Sequence, residues 1–272
     1  NETLYFATTE NDSFNEKGGF FYSVNSTNGD IIFKIPIVSR VYDSIEINSQ
    51  ENIAIVGDAK GNISLYNTSK ESIANNERKI FTIETDYSII SPAIQLDGPN
   101  NETNYCVGNI NGEIKCYELN KGNKITLNEW GSLKLDGWIW SNIELYDDSL
   151  FLVTLSGNLY KVDVDLEGKN LNIAWEQNID KSGKPVSGIM IYERGNVANS
   201  IIPFDKDKLV IAELSNGSIT DELPFKDGVQ SLPVMKNDFI YFVDKENRFR
   251  SYSLIDRSQK LCFDLNEMKG CD

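Results

Sequence analysis

The 272-residue chain contains no histidine and only four cysteines. Without histidine, the chain lacks the most common general base and the most common transition-metal ligand of proteins. This excludes Ser-His-Asp and Cys-His catalytic arrangements and histidine-based metal centres. The sequence also has no apolar run approaching the roughly 18 residues that a membrane-spanning helix needs. We therefore predict no direct membrane insertion, and we assign no catalytic residue, no metal ligand and no cofactor.

Basic side chains are scarce beside acidic ones, with 26 Lys and Arg against 41 Asp and Glu and a net charge of −15. A field of this sign repels phosphate backbones, so we predict no nucleic-acid partner. Solubility is the simplest explanation of the acidity, and a cationic ligand or a metal ion is the alternative. Short runs of Tyr, Phe, Ile, Val and Thr are typical of half-buried β-strands.

The four cysteines are Cys106, Cys116, Cys262 and Cys271, and none forms a C-x-x-C pair. Cys106 and Cys116 flank a turn-like segment. If this segment is a hairpin centred near Asn111, the two sulfurs face each other and a disulfide is within reach. Cys262 and Cys271 could close a small loop. Four reduced, buried thiols are the alternative. We favour disulfides, and with them an extracellular, periplasmic or secretory-lumen location.

Asn-x-Ser/Thr triplets recur in the chain, and they make glycosylation possible in a eukaryotic secretory route. They begin at Asn1, Asn11, Asn25, Asn62, Asn67, Asn101 and Asn216. Our candidate glycosylation sites are Asn25, Asn62, Asn67, Asn101 and Asn216.

A seven-residue segment recurs along the whole chain. Its copies begin at Gly19, Gly61, Gly112, Gly157, Asp207 and Asn247. An apolar run precedes each copy, a turn follows it, and another short apolar strand comes next. Four short strands joined by turns form one propeller blade, and the spacing of about 45 residues is typical of blades. The pattern predicts an all-β fold, a β-propeller of about six four-stranded antiparallel blades. The predicted single domain, 1–272, has repeat units near 1–36, 37–84, 85–133, 134–180, 181–226 and 227–272.

The repeat also predicts local structure. Glycine at its head supplies a positive φ in a hairpin turn. The alternation of Ile63 and Leu65 with Asn62 and Ser64 predicts one inward face. We expect residues 181–200 and 97–104 to be irregular insertions.

Trp138 and Trp140 flank Ile139, so at strand period both rings point to one face. We interpret them as inter-blade core or as an aromatic platform for a glycan or peptide. The segment 163–168 resembles the start of a calcium loop. Ala174, however, occupies the position that requires a bidentate carboxylate, so we interpret the segment as a strand end and turn.

The run Gly-Asn-Leu-Tyr-Lys-Val-Asp at 157–163, followed by Gly168 and Trp175, resembles the repeat of the quinoprotein-like (PQQ-repeat-like) β-propeller family. This family includes quinone-dependent dehydrogenases, an outer-membrane assembly lipoprotein and many exported scaffold or sensor propellers. Its enzymes place an adjacent Cys-Cys pair under the cofactor, beside carboxylate and Asn ligands of a calcium ion. No two cysteines are adjacent here, so the resemblance implies the fold and not quinone chemistry.

We therefore predict a non-enzymatic, exported β-propeller that serves as a protein-binding or assembly scaffold, with a glycan as another ligand class. One alternative is a luminal sensor or structural domain of a larger membrane protein. A further alternative is an enzyme, such as a glycan-active one, that uses carboxylates. The first repeat lacks its first strand, because only Asn1–Thr3 precede the next one. We expect either closure by a C-terminal segment or seven or eight blades in a longer protein.

Overall fold

The computed structural model describes residues 3–9, 18–42, 45–71, 73–179, 183–205 and 207–271. Across these ranges the chain forms 24 β-strands in six antiparallel sheets, and within each sheet the strands are neighbours in chain order. Two short 3₁₀ helices, Asn75–Glu77 and Pro99–Asn101, interrupt loops. In this part of the chain, no helix has the length and apolar character needed to cross a membrane.

The bounds of the strands are as follows. The first sheet contains β1 (Thr3–Ala7), β2 (Phe20–Asn25) and β3 (Ile31–Pro36). The second contains β4 (Glu46–Asn48), β5 (Ile53–Gly57), β6 (Asn62–Asn67) and β7 (Lys79–Glu84). The third contains β8 (Ile94–Asp97), β9 (Thr103–Gly108), β10 (Glu113–Lys121) and β11 (Ile125–Lys134). The fourth contains β12 (Glu144–Tyr146), β13 (Ser149–Val153), β14 (Asn158–Asp165) and β15 (Asn170–Asn178). The fifth contains β16 (Met190–Arg194), β17 (Val197–Phe204), β18 (Lys208–Glu213) and β19 (Ile219–Pro224). The sixth contains β20 (Val234–Lys236), β21 (Phe239–Val243), β22 (Arg248–Ser253), β23 (Ser258–Asp264) and β24 (Lys269–Gly270).

Each copy of the repeated segment forms the strand that follows its head residue. The strands β6, β10 and β14 begin directly after Gly61, Gly112 and Gly157, whose φ angles are 84°, 77° and 79°. Glycine is favoured there because a Cβ is unfavourable at positive φ. Within the described residues the first sheet has three strands and the sixth has five, because the short β24 pairs with β23.

The chain divides into two compact units, Asn1–Ser141 with Asp165–Leu171, and Asn142–Val164 with Asn172–Asp272. We describe each unit by itself. The predicted single domain and its six repeat boundaries stay a prediction.

In the first unit, the second sheet is buried on both faces. Ile63 and Leu65 pack in a cluster with Tyr105 and Tyr117 of the third sheet. The next residue, Tyr66, packs with residues of the first sheet in a separate cluster. Ile63 and Leu65 therefore face the neighbouring sheet, as the alternation in β6 predicts, and the opposite face of β6 is buried as well. Ser64 is also buried, and its hydroxyl is satisfied by a hydrogen bond with that of Thr82, at 3.0 Å.

The second unit repeats this arrangement around the fifth sheet. Ile202 and Val210 contact the fourth sheet through residues such as Phe151. On the opposite face, Ile201 packs in a cluster with Phe242 of the sixth sheet. Each middle sheet therefore contributes alternate side chains to two cores, one on each face.

Both predicted insertions contain regular structure. The segment 97–104 includes the end of β8, a 3₁₀ turn and the start of β9. Residues 181 and 182 lie outside the described residues, but most of 190–200 belongs to β16 and β17. Arg194 pairs with Val197 across a Gly-Asn turn, a short hairpin signal that the sequence interpretation missed.

Candidate functional site

In the second, third and sixth sheets, the turn before the motif strand is held by a side chain three residues ahead of the head residue. Asp58 Oδ1 accepts hydrogen bonds from the backbone N–H groups of Lys60 and Asn62, at 2.9 and 3.0 Å. Asn109 and Asp244 make the equivalent pairs of bonds in the third and sixth sheets. A short polar side chain of this kind fixes a turn by itself. These turns are rigid platforms for the residues beside them.

In the first unit, the segments that follow the last strands of the first, second and third sheets lie against these turns. We name them connecting segments, and they are 37–42, 85–93 and 135–141. Arg40 O accepts a hydrogen bond from Ala59 N at 2.8 Å, and Ser88 O accepts one from Ile110 N at 3.2 Å. The Ser88 hydroxyl donates to Ala59 O. The first two bonds involve backbone atoms alone, so they hold turn and connecting segment together whatever the side chains of Arg40, Ala59 and Ile110 are.

A cavity of about 520 Å³ opens between these connecting segments and turns. We name it the Trp140 cavity. Its lining residues are Ser39, Arg40, Tyr42, Ala59, Ser88, Ile90, Ile110 and Trp140. The volume lies in the range of small-molecule or peptide side-chain pockets. All its lining residues belong to the first unit.

The Trp140 cavity has apolar walls and unused polar groups. Arg40 Nε, Trp140 Nε1 and Ser39 Oγ are buried, and none has a hydrogen-bond partner in the part of the chain that the structure describes. No ion pair of Arg40 occurs there either, although acidic side chains outnumber basic ones in this protein. Buried donors without acceptors are costly, so each of them favours a ligand that brings acceptors.

The two predicted binding tryptophans have different environments. The segment that contains them lies between β11 and β12 and is not a strand, so the argument from strand period is wrong. Ile139 is fully buried, Trp138 is 54% exposed and Trp140 lines the cavity. The sequence did not reveal Arg40, Tyr42 or the other lining residues, which come from connecting segments outside the repeated motif.

The four cysteines form two disulfides. Cys106 and Cys116 are directly opposite on β9 and β10, with Cα atoms 4.1 Å apart, and both are fully buried. We name this bond the sheet-3 disulfide; its register places the hairpin centre at Asn111, as predicted. Cys262 and Cys271 form the terminal disulfide, with Cα atoms 5.3 Å apart. Both of its cysteines are partly exposed. Two disulfides point to a location outside the reducing cytosol.

The candidate glycosylation sites differ in accessibility. Asn101 and Asn216 are exposed, and Asn25 and Asn67 are half-buried. The side-chain amide of Asn62 donates to the Asp58 carboxylate at 2.8 Å. The triplets at Asn1 and Asn11 lie outside the described residues.

A charged cluster lies in the sixth sheet. The buried Asp244 carboxylate accepts hydrogen bonds from Arg248 Nε at 2.8 Å and Arg250 Nε at 2.6 Å. Both arginines also contact Asp227, at 2.8 and 2.7 Å. Burial alone raises the pKa of Asp244, but hydrogen bonds from the two arginines and from backbone N–H groups outweigh it and lower this pKa. The arginines satisfy the carboxylates, so this cluster is structural.

The chemistry available to the described residues is limited. They contain no group of three or more Cys, Asp or Glu side chains that could hold a metal ion. Burial raises the pKa of Tyr105 to about 12, so its hydroxyl is neutral at physiological pH. Asn48 Nδ2 donates a hydrogen bond to this hydroxyl at 3.1 Å.

Six antiparallel sheets, with strands in chain order and shared cores between neighbours within each unit, define an all-β propeller. Among solved structures, the chain is similar to BamB from Moraxella catarrhalis, with a TM-score of 0.56 and 10% sequence identity. The match covers 82% of this chain and 64% of the BamB chain. No family model and no curated protein matches the chain. The similarity confirms the predicted fold class.

Proposed function

We propose that this chain is a non-enzymatic, exported β-propeller that binds a protein partner as a scaffold or assembly module. The observation that carries the proposal is the Trp140 cavity, which combines apolar walls with buried donors that have no acceptor among the described residues. Such a surface is suited to binding, since a partner can supply both apolar contacts and acceptors. The two disulfides support export.

Rigid loops make a precise binding surface when the scaffold beneath them is fixed. The Asp58 and Asn109 turns and the backbone bonds of Arg40 and Ser88 supply that rigidity here. Tyr42 is 60% exposed at the same cavity, so a large aromatic side chain is already available to a partner. Aromatic and arginine side chains dominate the binding energy of protein interfaces.

Site-specific photo-crosslinking in the native host tests this proposal. A photoreactive phenylalanine replaces Tyr42, and the matched control carries it at Ile255, which is 67% exposed in the turn between β22 and β23. We expect a protein adduct at position 42 that is absent at position 255 and is lost when Trp140→Ala is added. Equal adducts at both positions, or no adduct at position 42, would overturn the proposal.

A different observation favours a second candidate, a structural domain of a larger protein. Leu4 and Phe6 of β1 and Ile31 of β3 are 55%, 43% and 60% exposed. The register places them with Tyr22 on the face opposite the core, and the rings of Phe6 and Tyr22 stack at 5.1 Å. Apolar surface of this kind is typical of an interface, and a further sheet of the same type would cover it.

The stability of a Phe6→Ser variant of the full-length protein tests this second candidate. If another sheet covers the face, Phe6→Ser lowers the free energy of unfolding by about 3 kcal/mol, as a buried aromatic truncation does. If the face is open, the same substitution changes it by no more than about 0.5 kcal/mol. The measurement is thermal unfolding of the wild-type and variant proteins.

A further inference from the structure

We infer that the Trp140 cavity recognises a carboxylate attached to a large apolar group, as found at the C-terminus of an apolar peptide or at an acidic residue beside apolar ones. This inference rests on the proposed protein-binding function and specifies its ligand. Arg40, Trp140 and Ser39 all line the cavity, and Arg40 Nε, Trp140 Nε1 and Ser39 Oγ have no hydrogen-bond partner among the described residues. Ile90 and Ile110 lie in its walls.

The donors determine which polar group fits. Arginine has five N–H donors and no acceptor, and the indole of tryptophan has one donor and no acceptor. A carboxylate supplies two oxygens that accept several hydrogen bonds and pairs with guanidinium in a bidentate manner. The Ser39 hydroxyl adds another donor. An ammonium or guanidinium group of a ligand would add donors where acceptors are needed.

The apolar walls of the cavity determine which chemical group should accompany the carboxylate. Tyr42, Ile90, Ile110 and Trp140 present apolar surface around the donors. The net charge of −15 repels a small anion at long range, so a free phosphate or acetate has little to retain it. An apolar group beside the carboxylate adds contacts that do not depend on charge. The cavity therefore favours apolar carboxylates over simple inorganic anions.

Three peptides of one apolar sequence test the inference on the whole chain. They are Ac-Gly-Leu-Phe with a free carboxylate, the same peptide as its amide, and Ac-Glu-Leu-Phe amide. Calorimetry gives the dissociation constants. We expect at least one acidic peptide to bind about tenfold or more tightly than the neutral amide, because charge-assisted hydrogen bonds are lost in the amide. The acidic peptide that binds identifies the source of the carboxylate.

Two variants of equal net charge separate recognition by Arg40 from general electrostatics. Arg40→Gln removes the cavity guanidinium, while Lys60→Gln removes an exposed charge from the adjacent turn. We expect Arg40→Gln to weaken the acidic peptide about tenfold and to leave the amide unchanged. Lys60→Gln should change neither peptide by more than about twofold. Thermal unfolding should be the same for both variants, because the Arg40 guanidinium has no partner to lose in the described chain.

Equal binding of acid and amide, equal effects of Arg40→Gln and Lys60→Gln, or no binding of any peptide would overturn the inference. The proposed function is judged separately by the photo-crosslinking adduct at position 42. A specific adduct without peptide binding would retain the protein-binding function and reject only the carboxylate ligand. No adduct together with peptide binding would indicate a ligand site without a protein partner.

Discussion

Replacing Asp244 with asparagine tests how the sixth sheet is stabilised. Asparagine still offers Oδ1 to the turn, as Asn109 does in the third sheet. It removes, however, the charge that faces Arg248 and Arg250. Asp58→Asn is the matched control, because Asp58 sits at the equivalent turn and accepts its hydrogen bonds from neutral groups. The pair of variants separates the turn from the ion pairs.

The two substitutions should lower the free energy of unfolding by clearly different amounts. Breaking a buried ion pair by removing one partner costs about 3–5 kcal/mol. The side chains of Arg248 and Arg250 are 19% and 12% exposed, so solvent compensates part of the loss. We expect Asp244→Asn to lower the free energy of unfolding by about 3 kcal/mol and Asp58→Asn by less than about 1 kcal/mol.

The dependence on pH supplies a second criterion. The pKa of Asp244 is lower in the folded state than its ordinary value of 3.8, so its ionised form stabilises the fold above that value. This contribution is lost as the pH falls through the folded-state pKa. The difference between wild type and Asp244→Asn should therefore be constant near neutral pH and shrink below about pH 4.

Urea denaturation followed by circular dichroism, at about pH 7 and about pH 3, measures both effects. Two results would refute the reasoning. One is an equal loss in Asp58→Asn and Asp244→Asn, which would assign the stabilisation to the turn alone. The other is a deficit of Asp244→Asn that persists unchanged at low pH.

Three further predictions concern two turn glycines, the two disulfides and the Asn-x-Ser/Thr glycosylation triplets. Gly112→Ala should destabilise the protein by about 2 kcal/mol more than Gly29→Ala in thermal unfolding. Their φ angles are 77° and 78°, but a Cβ at Gly112 lies 2.2 Å from a backbone oxygen, whereas Gly29 faces open space. Mild reduction followed by alkylation and mass spectrometry should label the terminal disulfide first, since the sheet-3 disulfide is buried. Labelling of both at once would contradict this. Glycopeptide mapping after expression in a eukaryotic host should show a glycan on Asn101 and none on Asn62, because the Asn62 amide is bound to the Asp58 carboxylate. A glycan on Asn62 and none on Asn101 would contradict the hydrogen bonds of the Asp58 turn.

Much of the architecture follows from the repeated segment alone. The head residues Gly61, Gly112 and Gly157 are each followed directly by the strand they predict, because glycine at positive φ ends a tight turn and the next residues alternate in a sheet. The hairpin centre near Asn111 also follows from spacing, and it correctly brings the cysteines of the sheet-3 disulfide together. These features depend on residues that are close together in the sequence, so they can be predicted without the structure.

The candidate site could not be predicted in the same way. Arg40 and Trp140 are about 100 residues apart in sequence and line one cavity only because connecting segments of different sheets lie together. One signal was available. In three connecting segments a buried isoleucine is followed two positions later by a buried serine. These pairs are Ile37 with Ser39, Ile89 with Ser91, and Ile139 with Ser141. Recognising this second repeat would have placed Trp140 in a loop instead of a strand.

The bonds between turns and connecting segments have a consequence for how such sequences diverge. Ala59 and Ile110 occupy the same place in successive turns, and each is held through its backbone N–H. Neither bond constrains the side chain, so mutation can alter the binding surface while the supporting framework persists. Only a few positions in each repeat, such as Asp58 and Gly61, are restricted by the backbone. Such a framework is compatible with a similar fold at 10% sequence identity to a solved structure. New ligand preferences can then arise without a new fold.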